Sequence, residues 1–128
     1  MSNLDDVRVV LVGAGNRGRV WSRVCSETSR VQLVGIVDRD VKRAEAVRAG
    51  SDGAHPSTYA DLADALGEAA PDAVIVVTPP STHHALVSAA LSAGTHVLCE
   101  KPLSEDLSEA IDLVERAQAQ DLKLLVGM

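Results

Sequence analysis

Aromatic side chains are nearly missing from this sequence, which has one Trp, one Tyr and no Phe in 128 residues. A core must therefore be built from Val, Leu, Ile and Ala, which suits a parallel sheet covered by alanine-rich helices. Positive charge is also in short supply: 12 Lys and Arg face 18 Asp and Glu, for a net charge of −6. An acidic chain with almost no aromatics lacks both the electrostatic footprint and the stacking platform for nucleic acid. No apolar run approaches the roughly 20 residues needed to cross a bilayer. The start, Met1-Ser2-Asn3-Leu4-Asp5-Asp6, has neither the basic nor the apolar region of a signal peptide. Cys25 and Cys99 have no motif spacing and read as reduced, packed thiols of a cytoplasmic protein.

What is present is an alternation of strand and helix patterns, without linker or repeat. That alternation predicts one α/β domain, a doubly wound parallel sheet of about six strands with helices on both faces. Val7 to Val12 is a short β-branched run that reads as a buried strand. Gly13-Ala14-Gly15-Asn16-Arg17-Gly18 follows it directly, and a helical pattern follows that, from about Asn16 to Ser26. A second β-rich run, Val31 to Val37, ends in Asp38, about twenty residues past Gly18.

A G-x-G-x-x-G alone says little, but strand, turn, helix and terminal acid together point to a dinucleotide. Gly13 lets the chain turn out of the strand. Gly15 offers close approach to a pyrophosphate, and Gly18 lets helix and strand pack tightly. The unpaired N–H groups at the helix start, including that of Asn16, form an anion site. An ionised Asp38 can accept both hydroxyls of a ribose. It would also repel a 2′-phosphate, which favours NAD over NADP, whereas Arg39 beside it could hold that phosphate or stack on adenine. Asp40 is the candidate cap of the next helix, leaving Asp38 for the ligand. Arg17, inside the turn, could reach a phosphate or stay solvated.

Further along, Gly53-Ala54-His55 reads as a weak third strand, and Tyr59 to Gly67 as a helix with Leu62, Ala65 and Leu66 inward. Asp72 to Val77 is a strong strand beside the first, which puts the switch point of the sheet between them. Ligands of such sheets bind just beyond the carboxyl ends there. Thr78, Pro79, Pro80, Ser81, Thr82 and His83 occupy that place, with the prolines expected to hold the loop extended. Thr95 to Cys99 is strand five, delivering Glu100, Lys101 and Pro102 to the same edge. Ser104 is expected to cap a helix whose Leu107, Ala110, Ile111 and Val114 form the apolar stripe. The first helix is expected to bury Val20 and Val24, with Trp21 and Cys25 beside them. Lys123 to Gly127 is a sixth strand. A zinc site from His83, His84, His96 and Cys99 is rejected because no ligand spacing repeats, and no metal is expected. His55, His84 and His96 are read as structural.

The glycine turn, Thr78-Pro79-Pro80-Ser81-Thr82-His83, and Gly94-Thr95-His96-Val97-Leu98-Cys99-Glu100-Lys101-Pro102 together resemble the Gfo/Idh/MocA oxidoreductases. The resemblance spans essentially the whole chain, and the Glu-Lys-Pro segment is its most specific part. It implies the N-terminal, NAD(P)-binding Rossmann domain of a two-domain enzyme acting on sugars, inositols or related polyols. The substrate domain, with its catalytic His or Asp, would lie beyond this chain, so the 128 residues alone are expected to bind cofactor without turnover. It also implies that Lys101 sits beside the nicotinamide and the reacting hydroxyl. Glu100 is expected at the cofactor rather than acting as a base, and His83 either touches the cofactor or fixes its loop. The uncovered sheet edge leads us to expect a homo-oligomer. Two rivals stand beside this reading. One is a free-standing nucleotide-binding or regulatory module. The other is a methyltransferase-like domain for S-adenosylmethionine, in which the Glu-Lys-Pro loop has no role.

Overall fold

A computed structural model describes residues 6–50 and 55–127. Six parallel strands form one sheet in the order β3-β2-β1-β4-β5-β6. They are β1 (Val7–Val12), β2 (Val31–Val37), β3 (Ser57–Tyr59), β4 (Ala73–Val76), β5 (His96–Glu100) and β6 (Leu124–Gly127). Helices α1 (Asn16–Glu27), α2 (Val41–Ala49), α3 (Leu62–Ala69), α4 (His83–Ser92) and α5 (Leu107–Ala119) connect them. β1 pairs with both β2 and β4, so the direction of winding reverses beside β1 and the β1 and β4 carboxyl ends open side by side.

The central strands are rich in Val, Ile and Leu because both their faces are covered. One face packs Val10, Val12, Val74, Val76, Val97 and Cys99 against Leu62 and Ala65 of α3, Val87 and Leu91 of α4, and Leu113 of α5. The other packs Val9, Leu11, Leu33, Ile36 and Ile75 against Cys25 of α1 and Ala44 and Val47 of α2. Small residues such as Ala44 and Ala65 let these helices lie close to the sheet.

The structure corrects several local expectations. The third strand lies at Ser57–Tyr59, where it pairs with Gly35–Val37. Gly53 and Ala54 lie outside the described residues, and His55 is exposed. With Tyr59 in a strand, α3 starts at Leu62, capped by the Asp61 carboxylate on the Asp64 N–H at 2.9 Å. Pro79 is extended, but Pro80 opens a 3₁₀ turn over Pro80–Thr82, since proline is well suited to a first helical position. The fifth strand includes Glu100 and begins after Thr95, whose buried hydroxyl donates to the Ala90 carbonyl at 2.8 Å.

Two helices turn a different face inward from the one their apolar residues suggest. α1 buries Gly18, Ser22 and Cys25, leaving Val20 and Val24 more than 40% exposed. α5 buries Leu113 and Ala117, while Leu107 is 76% exposed and Ile111 and Val114 also face solvent. Its cap is Asp106 rather than Ser104. The Asp106 carboxylate accepts from the Ser108 N–H at 2.8 Å, while the Ser104 hydroxyl donates to Glu109 at 2.8 Å.

Candidate functional site

Four segments meet at the carboxyl edge: the turn after β1, the end of β2, the loop after β4 and the loop after β5. The first turn is shaped by main-chain contact. Gly13 has φ +112°, a conformation that disfavours any side chain, and its N–H donates to the Val37 carbonyl at 2.8 Å. A Cβ at Gly18 would overlap the Gly13 carbonyl oxygen, so α1 can pack on the turn only with glycine there. α1 then begins at Asn16 with no side-chain cap from Gly15 and no acid in its first turn. Its first N–H groups and the helix dipole therefore present an unblocked anion site.

Asp38 closes the second segment. One carboxylate oxygen accepts from the Ala14 N–H at 2.9 Å and the other from the Asp40 N–H at 2.9 Å. Each oxygen keeps a second acceptor direction, so the carboxylate is held in place without being used up. Asp40 caps α2 by accepting from the Lys42 N–H at 3.1 Å. Asp40 is thus the cap of α2, as expected. Arg39 is exposed. A cation that sequence reasoning missed lies closer: Arg43 Nε is 4.0 Å from Asp38, and a Cβ at Gly15 would come within 2.8 Å of its guanidinium. Its signal was a basic run, Lys42-Arg43, in the first turn of α2, where acids are usually placed. A cleft of about 340 Å³ lies here, lined by Ala14, Gly15, Asn16, Arg19, Lys42 and Arg43. A larger groove of about 520 Å³ between α1 and α2 shares Arg19 and Ala46 with this cleft.

The loop after β4 is tied internally. The Thr82 hydroxyl donates to the Pro79 carbonyl at 2.6 Å, so the Thr78 hydroxyl, 2.6 Å from it, acts as donor to Thr82. His83 is fully buried, with Nδ1 2.8 Å from the Pro102 carbonyl oxygen and Nε2 2.8 Å from that of Thr78. With both nitrogens occupied and no exposed surface, His83 ties its own loop to the loop after β5.

Glu100 ends β5, and a single one of its oxygens, Oε1, accepts from Trp21 Nε1 at 2.7 Å and from Arg17 at 2.5 and 3.1 Å. Hydrogen bonds from Trp21 and then Arg17 hold this carboxyl below its ordinary range. Arg17 is therefore committed to Glu100 rather than turned to the glycine turn. Trp21, read from sequence as a neighbour of an apolar stripe, is a polar anchor. The clue was its i, i+4 spacing from Arg17, which puts both on one helix face. Lys101 is exposed, and its N–H donates to the Gly127 carbonyl at 3.1 Å. Its ammonium also favours the charged form of Glu100. The Lys101–Pro102 peptide is cis. Beneath the edge, burial and then the Glu100 charge push the Cys99 thiol up to about 12.

His84 and His96 lie in structural positions, His84 Nε2 2.9 Å from Asp112 and His96 Nδ1 accepting from the Lys123 N–H at 3.0 Å.

Residues 7–128 match a family profile described as an oxidoreductase family with an NAD-binding Rossmann fold. Among curated relatives, inositol 2-dehydrogenase 4 of Saccharopolyspora erythraea is 38% identical over 126 residues, covering 98% of this chain and 36% of the relative. UDP-N-acetylglucosamine 3-dehydrogenase of Acidithiobacillus ferrooxidans is 38% identical over 122 residues, covering 94% and 36%. Among solved structures, GenD2 from gentamicin A biosynthesis, in complex with NAD, superposes with a TM-score of 0.87 at 30% identity, covering 97% of this chain and 35% of that one. The chain thus spans little more than a third of the length of these relatives.

Proposed function

The chain belongs to the Gfo/Idh/MocA oxidoreductase family as its NAD-binding Rossmann domain, and from that premise we propose that it serves a dehydrogenase acting on a secondary alcohol of a sugar, inositol or related polyol. The observation that carries the proposal is Asp38 held at 2.9 Å against Ala14 N–H, at the mouth of an uncapped glycine turn. Glu100 and Lys101 stand on the same sheet edge. The relatives carry the substrate class: inositols and a nucleotide sugar.

The residues present fit a dinucleotide. The N–H groups at Gly15, Asn16 and Arg17 would hold the pyrophosphate, and Asp38 the adenosine ribose. Thr78, Pro79 and Pro80 would line the nicotinamide end. The cofactor, when bound, supplies the hydride acceptor or donor. Lys101 is exposed and could turn its ammonium toward the substrate oxygen, where it would stabilise negative charge developing on that atom. Glu100, pinned by Trp21 and Arg17, would set the direction from which Lys101 approaches. The acid at Asp38 favours NAD, since its charge opposes a 2′-phosphate. Arg39 and Arg43 act in the opposite sense, and Asp38 prevails because its carboxylate is fixed by two main-chain bonds whereas both arginines are solvated.

Among the described residues no helix is long and apolar enough to cross a membrane. The free, buried Cys25 and Cys99 fit a reducing cytoplasm. The exposed edge at Leu125 and Val126 favours self-association.

Calorimetric titration of this chain with NADH and with NADPH tests the cofactor reading. NADH should bind at least about tenfold more tightly; a reversed preference would transfer the ribose site to the arginines. In the full-length protein, Lys101→Ala should lower kcat by about 10²-fold or more with cofactor binding retained. An unchanged kcat would remove Lys101 from the chemistry.

A further inference from the structure

We propose that His83 is an imidazolium, a buried cationic strut that ties the loop after β4 to the loop after β5 and so positions Lys101. The argument is one of donors and acceptors. His83 has no exposed surface, and its two ring nitrogens each lie 2.8 Å from a backbone carbonyl oxygen, Nδ1 from Pro102 and Nε2 from Thr78. A carbonyl oxygen can only accept. A neutral imidazole carries one N–H and one lone pair, so it can serve one of these partners and must turn its lone pair on the other. The ring donates on both sides only when both nitrogens carry protons. Rotating it by half a turn replaces nitrogens by carbons and loses both bonds.

Burial and the start of α4 act against a cation here. Two short charge-assisted bonds act for it, and each is about twice as strong as a neutral one. Loss of one proton would forfeit a bond and also leave a buried lone pair against a buried carbonyl, the costly kind of mismatch. The strut's ends are informative. Thr78 and Pro102 follow neighbouring strands, β4 and β5, and no other side chain bonds to both loops among the described residues. Thr78 leads into the Thr78–Thr82 hydroxyl pair, and Pro102 follows Lys101 directly. One ring thus bonds to both loops. His83 has no exposed surface and acts through the loops it bonds, so it is a positioning residue. Its role at the site rests on the function proposed above; its protonation does not.

The test begins with this chain, free of cofactor, labelled with ¹⁵N-histidine. Long-range ¹H–¹⁵N spectra at neutral pH should show two protonated ring nitrogens for His83, assigned by their loss in His83→Gln. One protonated and one bare nitrogen would overturn the proposal. Amide exchange then tests the strut. In His83→Gln the Thr82 N–H, bonded to Pro79, and the Lys101 N–H, bonded to Gly127, should both exchange about tenfold faster or more. His84→Gln, which loosens α4 from Asp112 instead, should leave both within about twofold. Faster exchange in one loop only, or in neither, would overturn the strut. Because these readings need no cofactor, failure to bind NADH would count against the proposed function and leave this result standing.

Discussion

Asp38 and Glu100 are both carboxylates at the carboxyl edge of one sheet, yet the two halves of the molecule hold them in opposite ways. Asp38, in the half built by β1, α1 and β2, is gripped by main-chain N–H groups 24 and 2 residues away. Glu100, in the half built by β4, β5 and β6, is gripped by the side chains of Trp21 and Arg17, 79 and 83 residues away. The first arrangement follows from the course of the backbone and survives changes of most neighbouring side chains. The second exists only when α1 lies beside β5, and each partner can be removed by one substitution. The setting of Asp38 is thus a property of the turn, and that of Glu100 a property of the assembled sheet.

The comparison can be broken most forcefully at Gly18. Gly18→Ala forces a Cβ into the Gly13 carbonyl and should cost about 3 kcal/mol in urea unfolding. It should also abolish NADH binding, because the backbone that grips Asp38 moves. A stable variant with normal affinity would refute the claim that main-chain packing builds this half.

Glu100→Gln addresses the other half and should cost about 1–2 kcal/mol, with a change in the fluorescence of Trp21, the one Trp of the chain. It should also alter the acid side of the stability profile. The folded carboxyl lies below its ordinary 4.5, owing to Trp21 first and Arg17 next. Its contribution is therefore fully present above that ordinary value and is lost as pH falls through the lowered one. Unfolding midpoints measured across this range should fall less steeply toward acid in Glu100→Gln. Parallel profiles would show that the pair contributes nothing.

Asp38→Asn sharpens the contrast from the side of the glycine turn. Asparagine retains one acceptor, so stability should drop by only about 1 kcal/mol. NADH affinity should fall about tenfold, with the gap to NADPH narrowed. A smaller effect comes from Leu107→Ser on α5. Leu107 is 76% exposed, so unfolding should change by no more than about 0.5 kcal/mol.

In one respect the halves should not differ. Cys25 and Cys99 lie one in each, and burial raises both thiols, Cys99 to about 12. Neither should react with iodoacetamide at about pH 8 in the folded chain, and both should in urea.

Much of this was legible in the residues. The bounds of β1 and β2 follow from their β-branched runs, and the glycine turn and Asp38 from spacing. The placing of Thr78, Glu100 and Lys101 on one edge follows from the strand count. The inward faces of α1 and α5 were not legible, because an apolar stripe says that a helix has a buried side without saying which contacts set its rotation. In α1 the contact of Gly18 with Gly13 sets it, turning Val20 and Val24 outward. In α5, Leu113 and Ala117 meet the core and Leu107, Ile111 and Val114 do not. β3 escaped for a similar reason. Ser57–Tyr59 pairs with Gly35–Val37 of β2, where a Cβ at Gly35 would come within 3.0 Å of the Tyr59 ring.

The sequence by itself determined an alternating α/β domain with a dinucleotide turn and a charged Glu-Lys-Pro edge, because periodicity and turn chemistry are local and act before the chain is assembled. Only the tertiary structure decided that Arg17 and Trp21 serve Glu100, that Arg43 leans over Gly15, and that His83 spans two loops. Those pairings depend on the angle and rotation at which distant elements meet, and no local pattern encodes these.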